Sequence, residues 1–300
     1  MDTTPKSTGY YNSFDGTPIY YETHGEGDPL VLIYGIACPI NHWHYQVEYF
    51  SRKFRVITFD LRGHHKSVPV ADMNQLSLDA LCKDIMGLMN HLNIKQAHFA
   101  GHSFGAPLLL NLYNDNPDLI RSLVFINGFA KNPIKGMFGL EIMEPLFYFV
   151  KAQYESQPDL WNTLWKVAID NPFSMYLTAL AGGFNLKVTH FKDIEVYCRG
   201  VARMNLKVFI TLFEEMMNYN GESVLEKIEA PVLIISGERD MVTPPRFQHH
   251  FKEKIQHSEF VLVPYGSHCT QLDFPDYTNL KIEKFLEEGI TSSTAPNDDV

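Results

Sequence analysis

The period of apolar and polar positions changes several times along the 300-residue chain, and these changes divide it into elements. Residues 10–24, YYNSFDGTPIYYETH, alternate on either side of an Asp-Gly pair, the pattern of a β-hairpin. PLVLIYG (29–35) and FRVITFDLRG (54–63) are short apolar runs ending at a glycine, as parallel strands buried on both faces require. In SLDALCKDIMGLMNHLNI (77–94), Leu78, Leu81, Ile85, Leu88 and Leu92 recur at helical spacing behind Ser77, a residue type that caps helix N-termini. AHFAGHS predicts the next strand, APLLLNLYNDNP a helix, and RSLVFINGF (121–129) a further strand. Strands and helices alternating in this way predict a mostly parallel sheet covered by helices on both faces.

From about Asn132 to Tyr219 the strand pattern stops. Helical stripes replace it, one of Trp161, Leu164, Trp165 and Ala168, another of Phe209, Leu212, Phe213 and Met216. Strand patterns resume at APVLIISGERD (230–240) and EFVLVPYGSH (259–268), and a closing helix is expected at about 276–289. The chain therefore reads as an α/β core built from residues 1–131 and 223–290, with residues 132–222 inserted as a helical cap over the ends of the sheet. The polar tail TSSTAPNDDV (291–300) has too little apolar content to pack and is expected to be disordered.

Composition narrows the possible partners. Net charge is −10 and no run of Lys or Arg is present, which argues against nucleic acid. The N-terminus lacks a basic-then-apolar leader, and no apolar run reaches the ~18 residues of a membrane span, so a cytoplasmic protein is expected. Cys38, Cys82, Cys198 and Cys269 are far apart with no C-x-x-C spacing, and no carboxylate or cysteine cluster accompanies His42 and His44; neither a disulfide framework, a metal site nor a cofactor is expected.

The chemistry centres on QAHFAGHSFGAP (96–107). A strand running straight into a helix through G-x-S-x-G makes a tight turn with the serine at its apex, over the helix N-terminus. Gly101 and Gly105 are needed where side chains would collide with the adjoining strand and helix. Alone the pattern is weak, arising by chance in roughly one chain in ten of this length. A nucleophilic serine also needs a base, a carboxylate to orient the base, and donors for an oxyanion. Such groups gather at the carboxyl ends of strands in open α/β sheets. Asp240 closes one strand and His268 follows another, giving the chain order Ser103, Asp240, His268. Backbone N–H groups of Ile36, after PLVLIYG, and of Phe104, after the serine, are the expected oxyanion donors. Glu238 lies closer to the strand than Asp240, and Asp273 follows His268 too closely to orient it from across a site.

YGIACPINHW, FDLRGHHKS, GHSFG and the pair GERDMVTPP and YGSH, in this order, resemble the α/β-hydrolase superfamily, in its capped esterase and lactonase-like branch, over roughly residues 10–290. The resemblance implies hydrolysis of a small-molecule carboxylic ester by Ser103, His268 and Asp240 through an acyl-enzyme. Lactonases, C–C bond hydrolases, other acyl-transfer enzymes and slow ligand sensors share the same residues. Dehalogenase and epoxide hydrolase chemistry is disfavoured, because those relatives carry Asp where this chain has Ser103. The chain departs from the family at Tyr34, where His is usual, and at His65, where a second glycine is common. Trp43 and the cap aromatics Trp161, Trp165 and Phe209 are candidate substrate contacts, and Arg199 and Arg203 form either a carboxylate grip or a solvated face.

Overall fold

The Asp15-Gly16 turn joins β1 (Lys6–Asn12) to β2 (Pro18–His24) in an antiparallel hairpin in which Tyr10 faces Tyr20. The computed structural model describes residues 6–135, 137–178 and 183–293. The hairpin forms one edge of a sheet that continues with β3 (Asp28–Ile33), β4 (Phe54–Phe59), β5 (Ala97–His102), β6 (Ile120–Ile126), β7 (Val232–Gly237) and β8 (Glu259–Val263). The spatial order is β1-β2-β4-β3-β5-β6-β7-β8. β2 pairs antiparallel with β4, and every later pairing is parallel. Every residue of β5 and β7 is buried, which is why both read as continuous apolar runs rather than alternating ones. This is the α/β architecture, a mostly parallel sheet flanked by helices, that the sequence predicts.

Three helices follow the first parallel strands: α1 (His44–Phe50), α2 (Leu78–His91) and α3 (Gly105–Asp115). α2 begins where expected, with Ser77 Oγ accepting the Ala80 N–H at 3.2 Å, and it buries Leu78, Leu81, Ile85 and Leu88. Arg62, fully buried in the loop after β4, forks both nitrogens of its guanidinium edge onto Asp84 of α2 at 2.7 and 2.8 Å and also reaches Asp15. That bidentate geometry compensates a charge that would otherwise be costly to bury, and it ties the hairpin turn to α2.

Between β6 and β7 come α4 (Met143–Ser156), α5 (Pro158–Ile169), α6 (Pro172–Thr178), α7 (Phe191–Arg203), α8 (Leu206–Asn218) and α9 (Glu222–Leu225). The segment enters and leaves the core side by side, through a bridge of Lys131 with Asn220 and a bond from Gly221 N–H to Ala130 O at 2.7 Å. The stripe on α8 buries Leu212 and Met216 as expected, but α5 buries no residue, and Leu164 and Ala168 are exposed. α5 forms an outer layer that meets its neighbours α4, α7 and α8 along one edge only. The fold closes with α10 (Arg246–Lys254), α11 (Thr270–Asp273) and α12 (Pro275–Ser293). α12 outruns its expected end, so residues 291–293 of the segment expected to be disordered are helical; 294–300 lie outside the described residues. Among the described residues no helix is long and apolar enough to cross a membrane.

Candidate active site

The loops after β3, β5, β7 and β8 meet at the carboxyl edge of the sheet. Ser103 follows β5 with φ +51°, a left-handed conformation that a non-glycine residue holds only where its surroundings impose it. Its N–H is tied to Ile126 O at 3.0 Å, and its carbonyl accepts the Ala106 N–H at 2.9 Å. Both elbow glycines are required: a Cβ on Gly105 would stand 2.6 Å from Ile33 O, and one on Gly101 would stand 2.7 Å from the Leu109 side chain.

His268 Nε2 lies 2.9 Å from Ser103 Oγ, and His268 Nδ1 lies 2.9 Å from Asp240 Oδ2. Asp240 is buried, yet its carboxylate is well supplied with donors. Oδ1 accepts the N–H groups of Val242 and Thr243, both at 2.8 Å, and Oδ2 faces His268 and the Thr243 hydroxyl. An anion held in this way keeps the imidazole proton on Nδ1 and leaves Nε2 free to accept from the serine. Glu238 is turned outward onto the Tyr265 N–H at 2.9 Å. Asp273 does not face the ring; it accepts from Ser267 and from the Asn185 N–H at 3.1 Å, fastening the histidine loop to the segment after α6. Burial raises its pKa.

Sequence reasoning missed Thr243 and Asn127. Asn127, at the end of β6, reaches the carbonyls of Ser267 and His268 at 3.0 and 2.6 Å and accepts the Gly237 N–H at 2.7 Å, linking the acid strand to the histidine loop. The available signals were its place at a strand end, in FING, and the three-residue spacing of Asp240 and Thr243, which suits an Asp-headed turn.

The N–H groups of Ile36 and Phe104 have no acceptor among the described residues, and Ile36 lines the cavity beside Ser103. Three bonds hold the loop carrying Ile36 against the loop after β4. The Ala37 N–H donates to His64 Nε2 at 3.1 Å, the Tyr34 hydroxyl accepts the Leu61 N–H at 2.7 Å, and His65 Nε2–H donates to Cys38 O at 3.0 Å. His64 directs its other nitrogen to Arg62 O at 3.1 Å, which places its proton on Nδ1, and burial lowers its pKa to about 3. His65, with φ +39°, turns its ring toward Gly200 of α7. His102 faces away from the serine; its Nε2–H donates to His268 O at 2.8 Å, and its pKa is held well below the usual value by burial.

Ser103 and His268 open onto a cavity of about 450 Å³ roofed by α5–α8. Its lining includes Met137, Phe138, Phe184, Phe209, Phe213 and Met216 and, among the described residues, no Lys, Arg, Asp or Glu. Of the four aromatic candidates only Phe209 lines it. Trp43 is fully buried and packs edge-on against His102 without lining the cavity itself. Trp165 stands behind Phe209, with ring centroids 4.9 Å apart, and Trp161 sits on the outer layer with α5; neither lines the cavity. Arg199 pairs with Glu195 at 2.8 Å, and neither it nor Arg203 lines the cavity.

Strand order, elbow and loops together match a known pattern, and the profile of the alpha/beta hydrolase fold covers residues 28–275. The chain belongs to the alpha/beta hydrolase family. It is 26% identical over 281 residues to the putative carbamate hydrolase RutD of Agrobacterium fabrum (strain C58 / ATCC 33970), covering 89% of this chain and 98% of that one. It is 24% identical over 314 residues to bifunctional epoxide hydrolase 2 of Sus scrofa, where 95% of this chain covers 56% of the relative; it spans about half of that protein's length. Among solved structures, the enol-lactonase from Burkholderia xenovorans LB400 superposes with a TM-score of 0.72 at 21% identity, covering 93% of this chain and all of that one (100%). Relatives of this hydrolase family thus act on different substrates by name, and the elbow of this chain carries Ser103.

Proposed function

We propose that this hydrolase cleaves uncharged, apolar carboxylic esters, open-chain or cyclic, through an acyl-enzyme on Ser103. The observation that carries the reading is the continuous Ser103–His268–Asp240 hydrogen-bond chain facing a cavity without a charged side chain among its described lining. The Ser103 hydroxyl gives its proton to His268 Nε2 as Oγ attacks the carbonyl carbon. Asp240 stabilises the imidazolium that forms, and His268 then protonates the leaving alcohol. The N–H groups of Ile36 and Phe104 take the developing oxyanion, and α5–α8 act as a cap that keeps water from the acyl group. Water activated by His268 releases the acid. A substrate carboxylate would meet no cationic partner in the lining, and burying it unpaired is costly, so neutral substrates are favoured. Cys38, Cys82 and Cys269, buried and in no disulfide, suit a reducing compartment, in keeping with a cytoplasmic setting.

Hydrolysis of p-nitrophenyl esters from acetate to laurate, by wild type and Ser103→Ala in parallel, tests this. Turnover by wild type alone, with a chain-length optimum, is the expected result. Equal turnover by both proteins would refute the role of Ser103. Wild type inert across the whole series would refute simple ester hydrolysis.

A further inference from the structure

Beneath the loop that carries Ile36 lies a group of side chains that ester hydrolysis does not use. Cys38, His42 and His102 are only 2%, 3% and 1% exposed. The Cys38 sulfur and one ring nitrogen from each histidine lie within 4.8 Å of one another. Cys38 and His42 stand four residues apart in the connection from β3 to α1, and tertiary structure brings up His102 from the end of β5. The two imidazole rings lie 4.8 Å apart, centroid to centroid.

Both histidines hold a nitrogen with nothing to bond. His102 donates Nε2–H to His268 O at 2.8 Å, which leaves Nδ1 a bare lone pair, and no partner reaches it. Gln271 Nε2–H donates to His42 Nε2 at 2.5 Å, and both His42 Nδ1 and Gln271 Oε1 are unpartnered; turning that amide over lets His42 Nε2–H donate to Oε1 and leaves Nδ1 a lone pair. Buried polar atoms in native folds are almost always paired, and two orphans beside a thiol call for an explanation. The free nitrogen of His102 faces Cys38: the point where a Cβ on Gly35 would stand is 3.1 Å from His102 Nδ1 and 3.5 Å from Cys38 Sγ.

We propose that Cys38, His42 and His102 form a binding site for a thiophilic d¹⁰ cation, Zn²⁺ or Cu⁺, whose occupation slows hydrolysis. One thiolate and two imidazoles suit these ions, and oxygen-seeking Mg²⁺ or Ca²⁺ find no ligand of their kind. Cys38 and His102 also line the cavity, which supplies an entry path and an open fourth position. On binding, the Cys38 S–H bond breaks, its proton passes to solvent, and an S–metal bond forms with no change of oxidation state. Metal–ligand bonds of about 2.0–2.3 Å place tetrahedral donors roughly 3.3–3.6 Å apart, so donors now up to 4.8 Å apart close by up to about 1.5 Å. That closure pulls on Cys38, two residues from Ile36, and on His102, which precedes Ser103. The inhibitory part rests on the ester-hydrolase reading; the binding part does not.

The test titrates chelator-treated, reduced wild type under anaerobic conditions with Zn²⁺ and, separately, Cu⁺, each against a chromophoric chelator. The arm with the higher affinity identifies the ion. Expected are one equivalent bound, about one proton released, and a thiolate-to-metal charge-transfer band in the Co²⁺-substituted protein. The Co²⁺ band in wild type does not depend on any variant folding. Cys38→Ser abolishes the band, and His42→Gln weakens binding by at least the roughly 10–100-fold typical of losses outside the ligand shell. Cys198→Ser and Cys269→Ser retain the band, with circular dichroism confirming the fold of each variant. Absence of stoichiometric binding to wild type, or a band that survives Cys38→Ser or disappears with Cys269→Ser, overturns the site. Full occupancy without loss of ester turnover overturns the inhibitory role. A protein inert to esters that still binds one equivalent counts against the hydrolase reading and supports the site.

Discussion

His64 is a direct test of how the Ile36 loop is held. Its Nε2 accepts the N–H of Ala37, a residue 1% exposed and fixed at φ +63°. Replacing it by leucine, His64→Leu, leaves that N–H buried without an acceptor and removes the Nδ1–H from Arg62 O. An orphaned buried donor costs about 1–3 kcal/mol. At roughly 2–4 °C per kcal/mol for a chain of this size, the melting temperature should fall by about 2–10 °C. Activity is expected to fall for a different reason. Without its tether Ala37 relaxes from the left-handed region and carries the Ile36 N–H off target. Complete loss of one oxyanion donor costs about 2.7–4 kcal/mol, or roughly 100- to 1000-fold in kcat. Partial displacement should give a loss of about 10- to 100-fold, with KM little changed because the donor acts on the transition state. Steady-state kinetics on p-nitrophenyl butyrate beside a thermal melt separate the two effects. Burial keeps His64 neutral down to about pH 3, so the wild-type to variant kcat ratio should stay flat between pH 5 and 9. A lowered melting temperature with unchanged kcat would refute the positioning argument while leaving the hydrogen bond intact as a structural one.

Further outcomes are expected elsewhere in the molecule. Ser103→Ala should lower kcat by on the order of 10⁶ while ligand still protects against melting, measured by active-site-titrated kinetics and a thermal-shift series. Asp240→Asn keeps the geometry but favours the wrong imidazole tautomer, for a loss on the order of 10⁴; a loss under about tenfold would remove Asp240 from its orienting role. Phe209→Ala enlarges the cavity beside α8 and should move the acyl-chain optimum to longer esters, read from kcat/KM across the series. Burial lowers His42 and His64 to about 3 and His98 to about 4, so the unfolded chain binds protons near pH 6.5 that the folded chain refuses. Stability should therefore fall as pH drops from 7 to 5, by about 1.4 kcal/mol per pH unit per histidine once below 6.5, with the raised Asp60, Asp84 and Asp273 acting in the opposite sense; urea midpoints that do not fall over this window would refute it.

The fold was legible because its strands are buried on both faces. Runs such as VLII (232–235), short, rich in β-branched residues and closed by a glycine, read as strands, and the segments after β5, β7 and β8 carry Ser103, Asp240 and His268, which is how these were found at strand ends. The α2 cap at Ser77 was legible for the same local reason. Direction was not legible. Trp43 and His102 flank the same elbow as Ser103 in space, yet Trp43 packs against the His102 ring and His102 gives its Nε2–H to His268 O, and only tertiary packing decides that. Trp161 and Trp165 sit at core spacing on a helix that has little core to meet, so periodicity overstated their burial. Cys38 and His42 stand four residues apart in one loop, but their grouping with His102 was invisible because His102 comes from the end of β5, while the short His42–His44 spacing drew attention to a pair that does not form the cluster.

Tyr34 and His65, the two positions at which the chain departs from its family's usual residues, act on the same pair of loops. The Tyr34 hydroxyl crosses from the β3 loop to Asp60 at 3.2 Å and to the Leu61 N–H, while His65 crosses back to Cys38 O. A glycine at 65 would lack that donor, and a residue other than tyrosine at 34 would need another way to satisfy the buried Leu61 N–H. With His64 between them, three side chains fasten residues 34–38 to residues 60–66. The loop after β4 touches no reacting atom, and its only bearing on the proposed Ile36 donor is through these bonds. His65 also abuts Gly200 of α7. If the Ile36 N–H takes the oxyanion as proposed, Gly200→Ala, whose Cβ would crowd the His65 ring, should lower kcat more than it raises KM; an unchanged kcat would refute a link between α7 and that donor.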